Sequence, residues 1–159
     1  MYSAYGTFGV VLGVHSIARW LVIGLGLWAA ARAWMGRAGG RPWTPADTRI
    51  GRLFTICLDL QVVIGLALYG VFSPTVTAGM TNMAIATRST AYRFWLFEHP
   101  VAMIVALALA HVGLSKARRA GGVLAHRHAA LYFTLAIAIV LAVIPWPFLT
   151  YGRGLWPTR

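Results

Sequence analysis

Acidic residues are nearly missing from this chain: Asp47, Asp59 and Glu98 are the only three among 159, and Cys57 is the only cysteine. Carboxylates this sparse, each in a different segment, supply no acid–base pair of the kind a hydrolase uses. A lone cysteine inside an apolar stretch excludes both a disulfide framework and a thiolate metal site. A helical HExxH, a nucleophile elbow, a phosphate-binding glycine pattern and internal repeats are absent as well. What fills the chain is apolar: 59% of residues are hydrophobic and the mean hydropathy is +0.71, outside the usual range of soluble domains.

A bilayer core roughly 30 Å thick takes about 20 apolar residues per helix. Four such stretches occur, at about 8–31, 52–72, 94–115 and 128–149. The expected fold is therefore an all-α membrane protein, a single domain over 1–159 built as an antiparallel up-and-down bundle of four transmembrane helices. The first run is as long as a full span and Met1 to Gly6 carries no lysine or arginine, so no cleavable signal peptide is expected.

The net charge is +11, yet its distribution argues against nucleic acid, because the cations sit in the short connections between apolar runs. Loop one (32–52) holds five arginines and loop three (116–127) one lysine and three arginines, against Arg88, Arg93, Arg153 and Arg159 on the other side. The positive-inside rule then makes loops one and three cytoplasmic and places both termini outside, with loop three as a contact for lipid headgroups. The long, weakly charged middle loop, SPTVTAGMTNMAIATRST, predicts a surface structure packed on the bundle. Tyr92, Phe94, Trp95, Tyr69, Phe72, Trp146, Phe148, Tyr151 and Trp156 cluster at the outer side as an aromatic belt. In IPWPF, prolines 145 and 147 remove backbone donors and end the fourth helix.

An ionisable residue within a span costs roughly 2.5 to 3.5 kcal/mol on insertion scales, so each needs a partner or a task. Arg19 and Asp59 fall at nearly the same depth on helices one and two, which predicts an intramembrane ion pair; the functional alternative is a proton or quinone site using the same charges. Gln61 points nearly opposite to Asp59, so helix two has polar ties in two directions and a central position is expected.

His15, on the face of Arg19, and His99, about a turn into helix three, reach the same outer level on helices that run in the same direction. Beside His99, Ala102, Ala106, Ala110 and Gly113 form a smooth groove that can seat a flat macrocycle. Two histidines at one depth suit the axial sites of a b-type haem, with Arg19 or Arg93 neutralising a propionate. The alternative is that the small residues only let helices approach and each histidine is satisfied by a neighbouring helix. His111 and His128 form a second pair toward the cytoplasmic surface, where a second, inner haem competes with a simple basic cluster, HRH.

Together HSIARW (from His15), LDLQ (from Leu58), YRFWLFEHP (from Tyr92), HVGLSKARR (from His111) and HRHAALYF (from His126) resemble a family of small bacterial four-span proteins labelled cytochrome B, over nearly the whole length. The broader architecture is similar to that of four-helix b-type cytochromes. The resemblance implies a multi-pass protein of the bacterial inner membrane with periplasmic termini, binding haem b and exchanging electrons with a quinone as part of a respiratory or photosynthetic chain. It implies an electron carrier or complex subunit rather than a stand-alone enzyme, with membrane lipids and other subunits as partners. The chain departs from di-haem members in lacking two clean histidine pairs deep in the bundle. Two other classes compete: a cofactor-free accessory subunit of a larger membrane complex, in which Glu98 pairs with Arg93 or caps neighbouring backbone, and a proton or small-molecule carrier, for which four spans leave little room.

Overall fold

The computed structural model describes residues 4–154, with side chains from residue 6; Trp156 of the expected aromatic belt and Arg159 lie outside the described residues. Helix α1 (Ala4–Ala38) leads through a six-residue turn to α2 (Pro45–Ala67), which ends in a π-helical turn at Leu68–Phe72. Three short helices follow, α3 (Pro74–Thr81), α4 (Met83–Arg88) and α5 (Thr90–Arg93), and a second π-helical turn at Phe94–Glu98 runs into α6 (His99–Ala120). Helix α7 (Gly122–Ala142) completes the bundle. Among the described residues four helical stretches are long and apolar enough to cross a membrane, Gly6–Ala38, Pro45–Phe72, Thr90–Ala120 and Gly122–Ala142, and the chain is a multi-pass membrane protein with the expected all-α four-helix bundle.

The four long helices form a closed ring in the order α1, α2, α6, α7, each packed mainly on its two neighbours. Helix α2 is thus not central. Its two polar ties go to two adjacent helices, Gln61 to α1 and Asp59 to α6.

Several boundaries differ from those expected. Helix α7 starts at Gly122 and ends at Ala142, whereas the hydropathy pattern suggested 128–149. Loop three shrinks to a sharp break at Gly121–Gly122, where φ values of 64° and 52° suit glycine, and the flanking basic residues are helical. Hydropathy misplaces both ends because it follows charge at the start and apolarity at the finish, whereas the backbone follows Gly121 and Pro145. The middle loop is helical, as α3 to α5, and packs inward: Val76 and Ala86 are buried, and Gly79 lies against Leu96 and Tyr92.

At the end of the bundle where α1 joins α2 and α6 joins α7, hereafter the hairpin end, packing is close. Ala106, Ala110 and Ala117 of α6 and Ala125, Ala129, Ala130 and Ala136 of α7 are fully buried, and Tyr132 packs directly on Gly113. The groove expected to seat a cofactor is thus closed, with Ala106 and Ala110 fully buried and Gly113 against Tyr132 of α7. Gly36 of α1 leaves room for the His126 ring, which any side chain at that position would overlap. Phe54 and Phe133 meet edge to face at 5.6 Å in the middle of the core.

The hairpin end is held by Asp47. TPAD forms a capping box: Thr44 Oγ1 accepts from the Asp47 amide (3.3 Å) and the Asp47 carboxylate accepts from the Thr44 amide (2.9 Å), with Pro45 opening the helix. The carboxylate also accepts from Arg32 of α1 (2.8 and 3.0 Å) and from Arg41 of the turn (3.0 and 3.1 Å). His126 of α7 donates to the Pro42 carbonyl at 3.4 Å and lies edge-on to Trp43. One carboxylate thus joins α1, the turn and α2, and the turn meets α7. Asp47→Ala is expected to destabilise the bundle by roughly 2 to 4 kcal/mol, below the usual figure for a buried pair because Arg32 and Arg41 are 28% and 36% exposed; unfolding in mixed micelles with a graded denaturing detergent measures it.

Candidate functional site

At the opposite end, where the described chain begins and ends, the packing opens into a cleft of about 1090 Å³, counting the space at its mouth. Its walls come from α1 (His15, Arg19), α2 (Gln61, Gly65), the two π turns (Tyr69, Trp95), the head of α6 (His99, Met103) and the segment after α7 (Pro145, Arg153). Most other lining side chains are apolar, among them Val22, Val62, Val140 and Ile144.

Four prolines shape this end. Each π turn stands just before a proline, Pro74 or Pro100, and closes with a wide hydrogen bond, Ser73 N–H to Leu68 O (2.8 Å) and His99 N–H to Phe94 O. Widening is the way for a helix to approach a proline, whose ring would strike the carbonyl four residues back. Pro100 has no N–H for the Leu96 carbonyl; the Tyr69 hydroxyl donates to it instead, at 3.1 Å, tying α2 to α6. After α7, Pro145 leaves the Leu141 carbonyl open and Pro147 that of Val143. The Trp146 indole N–H donates to the first (3.0 Å) and His99 Nδ1–H to the second (2.8 Å). Buried backbone acceptors need such partners, above all where no water reaches.

The bond to Val143 sets the state of His99. A carbonyl only accepts, so Nδ1 carries the proton and Nε2 keeps its lone pair. Phe94 and Trp95 flank the ring at centroid distances of 5.6 and 5.8 Å. His15, on the opposite wall, has Nδ1 buried without a hydrogen-bond partner, and its ring occupies the space left by Gly65, where a Cβ would come within 3.2 Å of Cε1. Gln61 Nε2 donates to the His15 backbone carbonyl at 2.9 Å and leaves Oε1 buried and unpartnered. The cleft thus retains unused hydrogen-bonding capacity.

Two guanidiniums share the cleft. Arg19 is 8% exposed and lies over the Trp20 ring at 5.3 Å. Arg153 is brought in by the fold-back of the segment after α7, in which its amide donates to the Pro145 carbonyl (2.9 Å), and its guanidinium rests on Trp95 at 4.2 Å. Burial lowers the Arg153 pKa from its ordinary value, though a guanidinium so far above neutrality remains cationic.

Of the residues singled out in the sequence, His15, His99 and Arg19 meet in this cleft. The others do not. Arg93 is bonded to Glu98 (2.6 Å) on the surface, so the second cation of the cleft is Arg153 instead. The Arg19–Asp59 ion pair does not form: Gln61 is the residue of α2 that turns toward α1, and Asp59, some 200° round the helix, accepts from His111 at 2.9 Å. His111 is thereby engaged with α2, and His128 lies beyond the cleft in α7, so no second pair is assembled around a pocket. Among the described residues no cluster of three or more metal-binding side chains occurs. The aromatic belt is only partly at the surface, since Phe94 is buried and stacks on Tyr151 at 3.9 Å.

Arg153 and Tyr69 were legible in sequence only as a tail charge and a belt residue, because the fold-back and the proline-freed carbonyl that give them roles are contacts distant in the chain. Tyr69→Phe leaves the Leu96 carbonyl unpaired in an apolar setting and is expected to cost roughly 1 to 3 kcal/mol, with faster hydrogen exchange at the head of α6. Unchanged exchange there would show that the hydroxyl is dispensable.

No protein-family model, no curated protein and no solved structure matches the chain, so the reading of the cleft rests on its own geometry.

Proposed function

We propose that the cleft binds a b-type haem, which His15 and His99 would hold through their ring nitrogens, and that the protein is an electron carrier, or a carrier subunit, of a bacterial inner membrane. The observation that carries this reading is the presence of two imidazoles, from α1 and α6, in the walls of one cleft. The donor set fits the group: His99 has a lone pair left on Nε2, His15 has a ring nitrogen without a partner, and Gly65 leaves room beside it. The chemistry such a group supplies when bound is reversible one-electron transfer at iron.

The chain's own part would be to orient, neutralise and exclude. The Val143 carbonyl fixes the ring of His99 and raises the basicity of its free nitrogen. Arg19 and Arg153 offer positive charge for the two propionates. Val22, Val62, Met103, Val140 and Ile144 keep water from the inner wall. In this reading the electron partner is a quinone dissolved in the membrane or a neighbouring subunit. Arg19 within its span aside, nine cations stand at the hairpin end against Arg88, Arg93 and Arg153 at the cleft end among the described residues, so the positive-inside rule turns the cleft to the periplasm.

Purified protein supplied with haem during expression is expected to give the reduced-minus-oxidised bands of a low-spin b-type haem. His15→Ala and His99→Ala should each abolish them, and His111→Ala should leave them unchanged. Absence of the bands in folded, haem-replete material, or a normal spectrum in the His99 variant, would overturn the assignment.

A further inference from the structure

Asp59 and His111 are the polar pair that the cleft does not use. Asp59 lies about 10 Å past Arg52 along α2, and His111 about 8 Å before Lys116 along α6, so both stand within the apolar part of their spans. His111 Nε2 lies 2.9 Å from Asp59 Oδ1, yet the two side chains are 50% and 43% exposed. The surrounding face is apolar and uncovered, with Ile56, Leu60 and Val63 on α2 and Val112 on α6. Against hydrocarbon, the outer carboxylate oxygen and the outer ring nitrogen have no water to bond.

We propose that this α2–α6 face is covered by a second copy of the chain, in a two-fold dimer in which each Asp59 faces His111 of the partner subunit. Copies inserted alike are related by an axis along the bilayer normal, which keeps equivalent residues at equal depth. Face to face, that rotation sets α2 of one copy opposite α6 of the other. The two Asp59-to-His111 dipoles then run antiparallel, and four polar groups alternate around the axis. Lipid tails offer no such partner, and an unrelated protein would need a matching acid and base at the same depth. This chain already carries both. Ala108, exposed about a turn from His111, lets the backbones approach closely. No residue of the cleft takes part, so the inference stands apart from haem binding.

Cross-linking in native membranes tests it. In a Cys57→Ala background, Val63→Cys and Ala108→Cys are placed in two differently tagged full-length chains and co-expressed; both positions lie one turn from the pair on the same side. Mild oxidation is expected to join the two tags, and Leu131→Cys, exposed on α7, is expected not to cross-link. The double variant Asp59→Ala/His111→Ala, which keeps an apolar lipid face, should retain its helical circular dichroism and lose cross-linking at least tenfold. Cross-linking no stronger than at Leu131, cross-linking unchanged in the double variant, or capture of a different protein at Val63 in place of a second copy would each overturn the proposal.

Discussion

A polar group inside a bilayer has no water to fall back on, and the cleft end of this bundle is organised around that constraint. Prolines 100, 145 and 147 cannot donate to the carbonyls four residues back, and each such carbonyl has found a side chain: Tyr69 for Leu96, Trp146 for Leu141, His99 for Val143. These bonds tie α2 to α6, close the segment after α7 on itself and fasten α6 to it. The position and tautomer of His99 are consequences of the same requirement.

The two ends of the bundle differ for a steric reason. Toward the hairpins, alanines and glycines let α6, α7 and α1 approach until the core is filled by Phe54, Phe133 and His126. Toward the other end, prolines and π turns hold the helix heads apart, and the short helices and the fold-back after α7 wall the gap rather than fill it. The cleft therefore forms at that end, which is also the side poorer in cations.

Acid is scarce here, and each acidic residue has a basic partner. Asp47 takes Arg32 and Arg41, Glu98 takes Arg93, and Asp59 takes His111. Arg19 and Arg153 line the cleft, and among the described residues its lining holds no carboxylate.

Much of this could be read in the chain alone. Long apolar runs broken by arginines specify four membrane helices, because the bilayer's thickness and the cost of unpaired backbone leave few other solutions. Helical rise places His15 and His99 at one level. What hydropathy could not locate were the ends of α7, which Gly121 and Pro145 decide through backbone geometry. Pairings across helices depend on rotation about each axis, which depth does not reveal; Asp59 therefore belongs to His111 rather than Arg19, and Ala106 to the α6–α7 contact rather than to a cofactor groove. Sequence by itself determined the class of fold and the level of the polar residues, since length and periodicity are local properties. Only the tertiary structure decided which of them share a cleft, because that depends on the order of helices in the ring and on carbonyls freed by prolines dozens of residues away.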